Sequence, residues 1–342
     1  MTSTERRIKQ GEWVLVTGAN GYIASHVTDV LLEEGYNVRG TVRAEKPWLN
    51  KLFDDKYGKG RFETVLVPVL DAPGAYDEAV KGVAGIEHVA AVLNWSSDPE
   101  DVIPQTVAGS VNILKAAAKE SSVKSVVITS SSSAALLPAP NKEEVIDENT
   151  YNDAAVQAAW AQSAPEQERP FVVYAASKTE GERESWKWYN ENKPQFALNS
   201  VLPNMNIGTF LAPEIEGSTG AWMLNLLKGD DMALKMFPPQ WHVNVRDCAR
   251  IHVAALLDAK VESERLFAFA GTFNWTDVIG LLHKLRPENK KIPKAPENEG
   301  RDLSDIKPRK KAEQLLKDFF GGPGWTSLED SLVMGLASGR WD

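Results

Sequence analysis

The stretch Trp13-Val14-Leu15-Val16-Thr17-Gly18-Ala19-Asn20-Gly21-Tyr22-Ile23-Ala24 constrains the fold more than any other part of this chain. An apolar run stops at Gly18 and gives way to an amphipathic pattern on Ile23, Val27, Val30 and Leu31. That change of period reads as strand, tight turn and helix. Small residues at such a turn let the backbone approach a pyrophosphate, while the N–H groups and dipole of the helix start face its negative charge. Gly18, Gly21 and Ala24 fill the three small positions. A glycine-rich turn alone is weak evidence, since an ordinary strand-to-helix turn looks the same. The flanking strand and helix count against that blander reading.

The same alternation continues. Strands are predicted over 36–43, 63–70, 85–92, 125–129 and 198–202, the last closed by Pro203. Helices are predicted over 75–81 and 107–119, and another carries Tyr174 and Lys178. This predicts an α/β fold, a doubly wound parallel (Rossmann) sheet covered on both faces. Residues 1–203, completed by 243–260, are expected to form a dinucleotide-binding domain. Residues 204–342 mainly form a smaller substrate-binding lobe, because Gly and Pro recur there among large side chains such as Phe210, Trp222, Phe237 and Trp241. Residues 138–170, rich in Pro, Ala, Asn, Gln and Glu, read as an irregular insertion.

The residue at the end of the second strand chooses the cofactor. A carboxylate there accepts from the ribose 2′-OH of NAD, whereas arginine accommodates the 2′-phosphate of NADP. Arg43 stands at that end with Arg39 and Lys46 nearby, and the nearest acid is Glu45, so NADPH is expected. After the third strand, Asp71 is placed either to accept from the adenine amino group or to cap the 75–81 helix. A net charge of −9 without a long Lys/Arg run argues against nucleic acid and anionic membrane surfaces. The polar MTSTERRIKQGE start and the lack of a long apolar run predict a cytoplasmic protein without a membrane span. Cys248 is the single cysteine, which excludes an internal disulfide, and the five histidines lack ligand spacing, so no metal is expected.

Tyr174 and Lys178 are four apart, on one helix face. A phenol with a pKa near ~10 is a poor acid-base group at neutral pH, but an adjacent ammonium draws it toward the working range and also holds the nicotinamide ribose. A hydroxyl from the Ser130-Ser131-Ser132-Ser133 cluster after the fifth strand would hydrogen-bond a substrate carbonyl oxygen as it gathers charge. Tyr-x-x-x-Lys is commonplace by itself; its order after a nucleotide turn, five strands and a serine cluster is what gives it meaning.

With Val38-Arg39-Gly40-Thr41-Val42-Arg43, Thr129-Ser130-Ser131, Ile146-Asp147-Glu148, Tyr174-Ala175-Ala176-Ser177-Lys178 and Leu202-Pro203-Asn204, the chain resembles the extended short-chain dehydrogenase/reductase family over nearly its whole length. It looks most similar to the dihydroflavonol reductase-like branch and its fungal NADPH-dependent aldehyde and carbonyl reductases. The resemblance implies that Ser131 is the catalytic hydroxyl, with Ser130 and Ser132 as alternatives. It implies cofactor contacts at Gly18, Asn20, Gly21, Tyr22, Ile23, Arg43, Asp71, Lys178, Pro203 and Asn204. It places Trp95, Trp222, Phe237 and Gln240 around a small-molecule carbonyl substrate. Ala24 stands where the family's third glycine falls. Two other readings stay open: a nucleotide-sugar epimerase or dehydratase that retains NAD, and a non-catalytic dinucleotide sensor. A monomer is expected over a dimer, because the two helices that could pair subunits carry no distinctive apolar face.

Overall fold

The apolar runs form strands buried on both faces. In the computed structural model, which describes residues 5–92, 94–339 and 341, seven strands make one sheet. Across the sheet they run Arg265–Ala268, Ala197–Pro203, Ser125–Thr129, Gly85–His88, Trp13–Val16, Asn37–Val42 and Phe62–Leu66. Every neighbouring pair is parallel. Parallel neighbours need crossover connections, and helices supply them on both faces. Tyr22–Glu33 and Val245–Leu257 pack on one face, Pro99–Lys119 and Arg169–Asn192 on the other. The strand order reverses beside Trp13–Val16, which opens a crevice beyond the carboxyl ends of the strands. The edge strand on the 265–268 side lies just past the 243–260 segment.

Local differences from the sequence reading have physical causes. The third and fourth strands stop early, at Leu66 and His88. Residues 75–81 form turns rather than a helix: between Pro73 and Gly74 before and Gly82 after, at φ +70°, most bonds are short ones such as Ala75 N–H to the Ala72 carbonyl, and a single helical bond from Val80 N–H to the Tyr76 carbonyl is not continued. Asp71 therefore has no helix there to cap. The helix expected from 107 begins at Pro99, where the Asp98 side chain accepts from the Glu100 N–H (3.0 Å); Pro104 lies within it and disguised its first turns. The 138–170 stretch is not wholly irregular. It holds the strand Glu143–Ile146 and the helix Asp153–Trp160, whose cap is the Asn152 side chain accepting from the Ala155 N–H (3.1 Å). That strand pairs with Leu303–Ile306, a partner too distant in sequence for local pattern to show.

Beyond Pro203 the chain builds a second body on a sheet of Met205–Ile207, Gln240–Asn244 and Gly271–Phe273. Its core packs Met205, Ile207, Met223, Leu224, Phe273 and Trp275. Tyr22, at the start of the first helix, bolts the two bodies together: its hydroxyl donates to the Gly208 carbonyl (2.9 Å) and its ring stacks on Phe210 at 4.6 Å. The helix Arg309–Phe320 returns to the large sheet and packs on Val245–Leu257. No described helix is long and apolar enough to cross a membrane.

Candidate active site

One cleft of about 1160 Å³ lies between the strand ends and the second body, and every site residue named from the sequence lines it. At one end is the glycine turn. Gly18 sits at φ +66°, and a Cβ there would come within 3.2 Å of the Ala90 Cβ, so the turn and the end of the fourth strand touch only because both are small. Gly40 in the second strand similarly admits Ala19, whose Cβ would be 2.6 Å from any added there. No side chain caps the helix Tyr22–Glu33, and its first turn holds no acid. Its N–H groups are thus left for an external anion, as a pyrophosphate site requires. The Tyr22 phenol is committed to Gly208, so only its backbone faces that turn. Arg43 is exposed and makes no ion pair among the described residues, while Asp71 stands half-buried on the same cleft wall.

At the other end the strand Ser125–Thr129 runs out into the serines. Three neighbours have three fates. Ser130 turns inward and donates to Glu182 Oε2 (2.8 Å). Ser131 caps the short turn Ser132–Ala134, with its Oγ accepting from the Ser133 N–H and Oγ (3.2 and 2.9 Å), and its hydroxyl lies close enough to the Tyr174 phenol to act on its proton affinity. Ser132 lines the cleft. Burial pushes the Tyr174 phenol above its ordinary range, and the Ser131 hydroxyl pulls it back only in part. This differs from the sequence reading, in which Lys178 lowered it: desolvation dominates. A phenol held up in this way stays protonated at neutral pH, which is the state a proton donor needs.

Lys178 donates to the Thr129 carbonyl (2.8 Å). Burial pushes its ammonium down to about 8, against the opposing pull of Glu182. The sign follows directly: the cation is present below that value and lost above it. Any reaction here that needs the Lys178 charge should therefore show kcat/KM falling along a basic limb near pH 8 in a pH–rate profile. A profile flat to pH 9.5 would contradict that dependence.

Sequence reasoning missed Glu182 and Arg265. Glu182 is the next same-face position after Tyr174 and Lys178, and that spacing was the available signal. Its carboxylate accepts from Ser130, from Ser200 (2.7 Å) and from Arg265 Nε (2.9 Å). Burial pushes the Glu182 carboxyl up, but Arg265 and the serine hydroxyls outweigh that and hold it below the usual carboxylate range. Arg265 also donates to the Glu148 and Thr150 carbonyls (2.7 and 2.8 Å) and lies over Tyr151 at 4.0 Å. The buried ion pair thus ties the Tyr174 helix to the edge strand Arg265–Ala268, and the Ser130 hydrogen bond ties it to the strand end that carries Ser131. Phe171, one turn before Tyr174, was missed as well and lines the cleft.

A seven-strand parallel sheet with a glycine turn at its switch point, and a Ser–Tyr–Lys cluster beyond the strand ends, defines the extended short-chain dehydrogenase/reductase class. The chain belongs to the NAD dependent epimerase/dehydratase family, whose profile matches residues 14–267. It is 43% identical over 336 residues to ketoreductase nvfG of Aspergillus novofumigatus, covering 97% of this chain and 98% of the relative. It is 43% identical to aldehyde reductase 2 of Sporidiobolus salmonicolor, covering 95% of each. Among solved structures, the yeast methylglyoxal/isovaleraldehyde reductase Gre2, complexed with NADPH, superposes with a TM-score of 0.78 at 24% identity over 96% of this chain and 99% of that one. At that identity the likeness is one of fold.

Proposed function

We propose that this protein is an NADPH-dependent carbonyl reductase that turns aldehydes, ketones or keto esters into alcohols. The observation that carries the reading is that a single cleft holds the uncapped glycine turn and Arg43 at one end and Ser131, Tyr174 and Lys178 at the other. The ketoreductase and aldehyde reductase relatives support it.

Bound NADPH supplies the hydride. Gly18, Asn20, Gly21, Ile23 and the backbone of Tyr22 would hold its pyrophosphate, Arg43 its 2′-phosphate, Asp71 its adenine, and Pro203 and Asn204 would pack beside the nicotinamide. Lys178, held by the Thr129 carbonyl, orients the ribose and keeps a positive charge near the reacting oxygen. The Ser131 hydroxyl hydrogen-bonds the substrate oxygen as charge develops on it, and Tyr174 Oη gives that oxygen its proton. No covalent intermediate on the protein is required.

The test is oxidation of NADPH and NADH against neutral carbonyls. Turnover that needs NADPH supports the assignment, and failure with both cofactors across aldehydes and ketones refutes it. Arg43→Glu should weaken NADPH binding about 10- to 100-fold, the scale of one charge-assisted contact, and leave NADH binding close to unchanged. Calorimetric titration of both cofactors checks this, and equal losses for the two would remove Arg43 from the 2′-phosphate.

A further inference from the structure

Four aromatic rings close a circuit beside Tyr174. Trp95 lies 5.3 Å from Phe171 and 5.3 Å from the Tyr174 ring. Phe171 meets Phe237 edge-on at 5.1 Å, Phe237 stacks on Trp222 at 4.9 Å with 17° between planes, and Trp222 returns to Trp95 at 6.4 Å. The four come from separate places: the loop after the fourth strand, the Tyr174 helix, the helix Thr219–Leu224, and the turn before Gln240–Asn244. Core aromatics such as Phe267 and Trp275 are sealed from solvent. These four are not: Trp95 is 41% exposed, the other three are half-buried, and all line the cleft.

Trp95 holds its place under backbone strain. It adopts φ +51°, the left-handed region that bulky side chains avoid. Strain of that kind persists where surrounding structure imposes it, and it gathers at ligand clamps. Here it lays the indole along the Tyr174 ring, 32° from parallel.

The charges around the cleft sharpen the picture. Its charged lining side chains are Arg43 and Asp71 beside the glycine turn, Lys178 at the centre, and Glu168 and Lys235. Lys235 is paired with Asp231 (2.7 Å), and Glu168, one turn before Phe171, is exposed. Among the described residues that line the cleft, beyond Lys178 and the cofactor end, no unpaired cation awaits a carboxylate or phosphate on the substrate.

We propose that the Trp95–Phe171–Phe237–Trp222 wall selects carbonyl substrates bearing a flat, uncharged ring system, seated against these rings with the carbonyl at Tyr174. This deepens the reductase reading and rests on it for the position of the carbonyl. Small dicarbonyls leave the wall uncovered, and anionic keto acids meet Glu168 with no cation but Lys178, which the Thr129 carbonyl already engages. Ring-on-ring contact adds to the burial of apolar area, and together these favour a two-ring ketone over a four-carbon dione by about 100-fold.

The test is a pair of dissociation constants in the presence of NADP⁺, for 2-acetonaphthone and 2,3-butanedione, in the wild type and in Trp222→Leu and Phe237→Leu. The naphthyl ketone should bind about 100-fold tighter in the wild type, and that ratio should fall about tenfold in either variant that keeps the wild-type circular dichroism. Methyl benzoylformate should also bind at least tenfold tighter than benzoylformate. A naphthyl-to-dione ratio near one, or a ratio unchanged in both folded variants, overturns the proposal. Turnover with NADPH is followed in parallel. Loss of turnover on every probe would defeat the reductase reading, while the binding ratios would still judge the wall.

Discussion

Tyr174→Phe should lower kcat for carbonyl reduction by about 10²- to 10⁴-fold, the usual worth of a positioned general acid, and leave NADPH affinity within about twofold of wild type. The phenol ring stays, so its 5.3 Å contact with Trp95 survives and only the oxygen is lost. That oxygen is the one the Ser131 hydroxyl acts on, and burial keeps it protonated. Ser131→Ala should cost less, because Ser131 positions and polarises without supplying the proton. Tyr174→Phe combined with Ser131→Ala should fall short of the sum of the two, since both act on one substrate oxygen. Single-turnover kinetics with preloaded NADPH isolates the step. Full hydride transfer in Tyr174→Phe would show that water or another group delivers the proton.

The large features of this fold were legible because they depend on short-range pattern. Continuous apolar runs such as Val14-Leu15-Val16 and Val126-Val127-Ile128 announce strands buried on both faces, and these stand at the middle of the sheet. The turn at Gly18 and the shared helix face of Tyr174 and Lys178 were readable because a tight turn and a one-turn helical spacing are local. The misses are long-range. Nothing near Glu143–Ile146 reveals Leu303–Ile306 as its partner, and nothing near Arg265 says that it neutralises Glu182 across the sheet. The pKa of Tyr174 was also beyond sequence: spacing shows which charges are near, whereas desolvation depends on how the whole cleft closes. The aromatic wall shows the same limit. Trp95, Trp222 and Phe237 were visible as large residues in loop-like surroundings, but their shared circuit exists only once four segments meet.

The Glu182–Arg265 pair should show the largest effect on stability. Both side chains are buried, Glu182 completely and Arg265 at 8% exposure. Removing one partner leaves the other charge uncompensated in a low-dielectric interior, which costs about 3–5 kcal/mol. Glu182→Leu should therefore lower unfolding free energy by that order in urea titrations, and Arg265→Met should do nearly the same. The double variant should recover most of the loss, since two apolar side chains of similar size no longer bury a lone charge. Recovery of the fold should not recover the chemistry. Lys178 is faced by Tyr174 and Glu182 from its own helix and by His88 from the fourth strand, and burial with the nearby Lys178 holds His88 neutral, down to about 3. Among the described residues, Glu182 is then the negative charge that supports the Lys178 cation. With Glu182 gone, burial acts unopposed, and the basic limb expected near pH 8 should move to lower pH in the stable double variant. A purely structural pair would restore stability and leave that limb where it was. The two outcomes separate holding the helix in place from tuning the charge it carries.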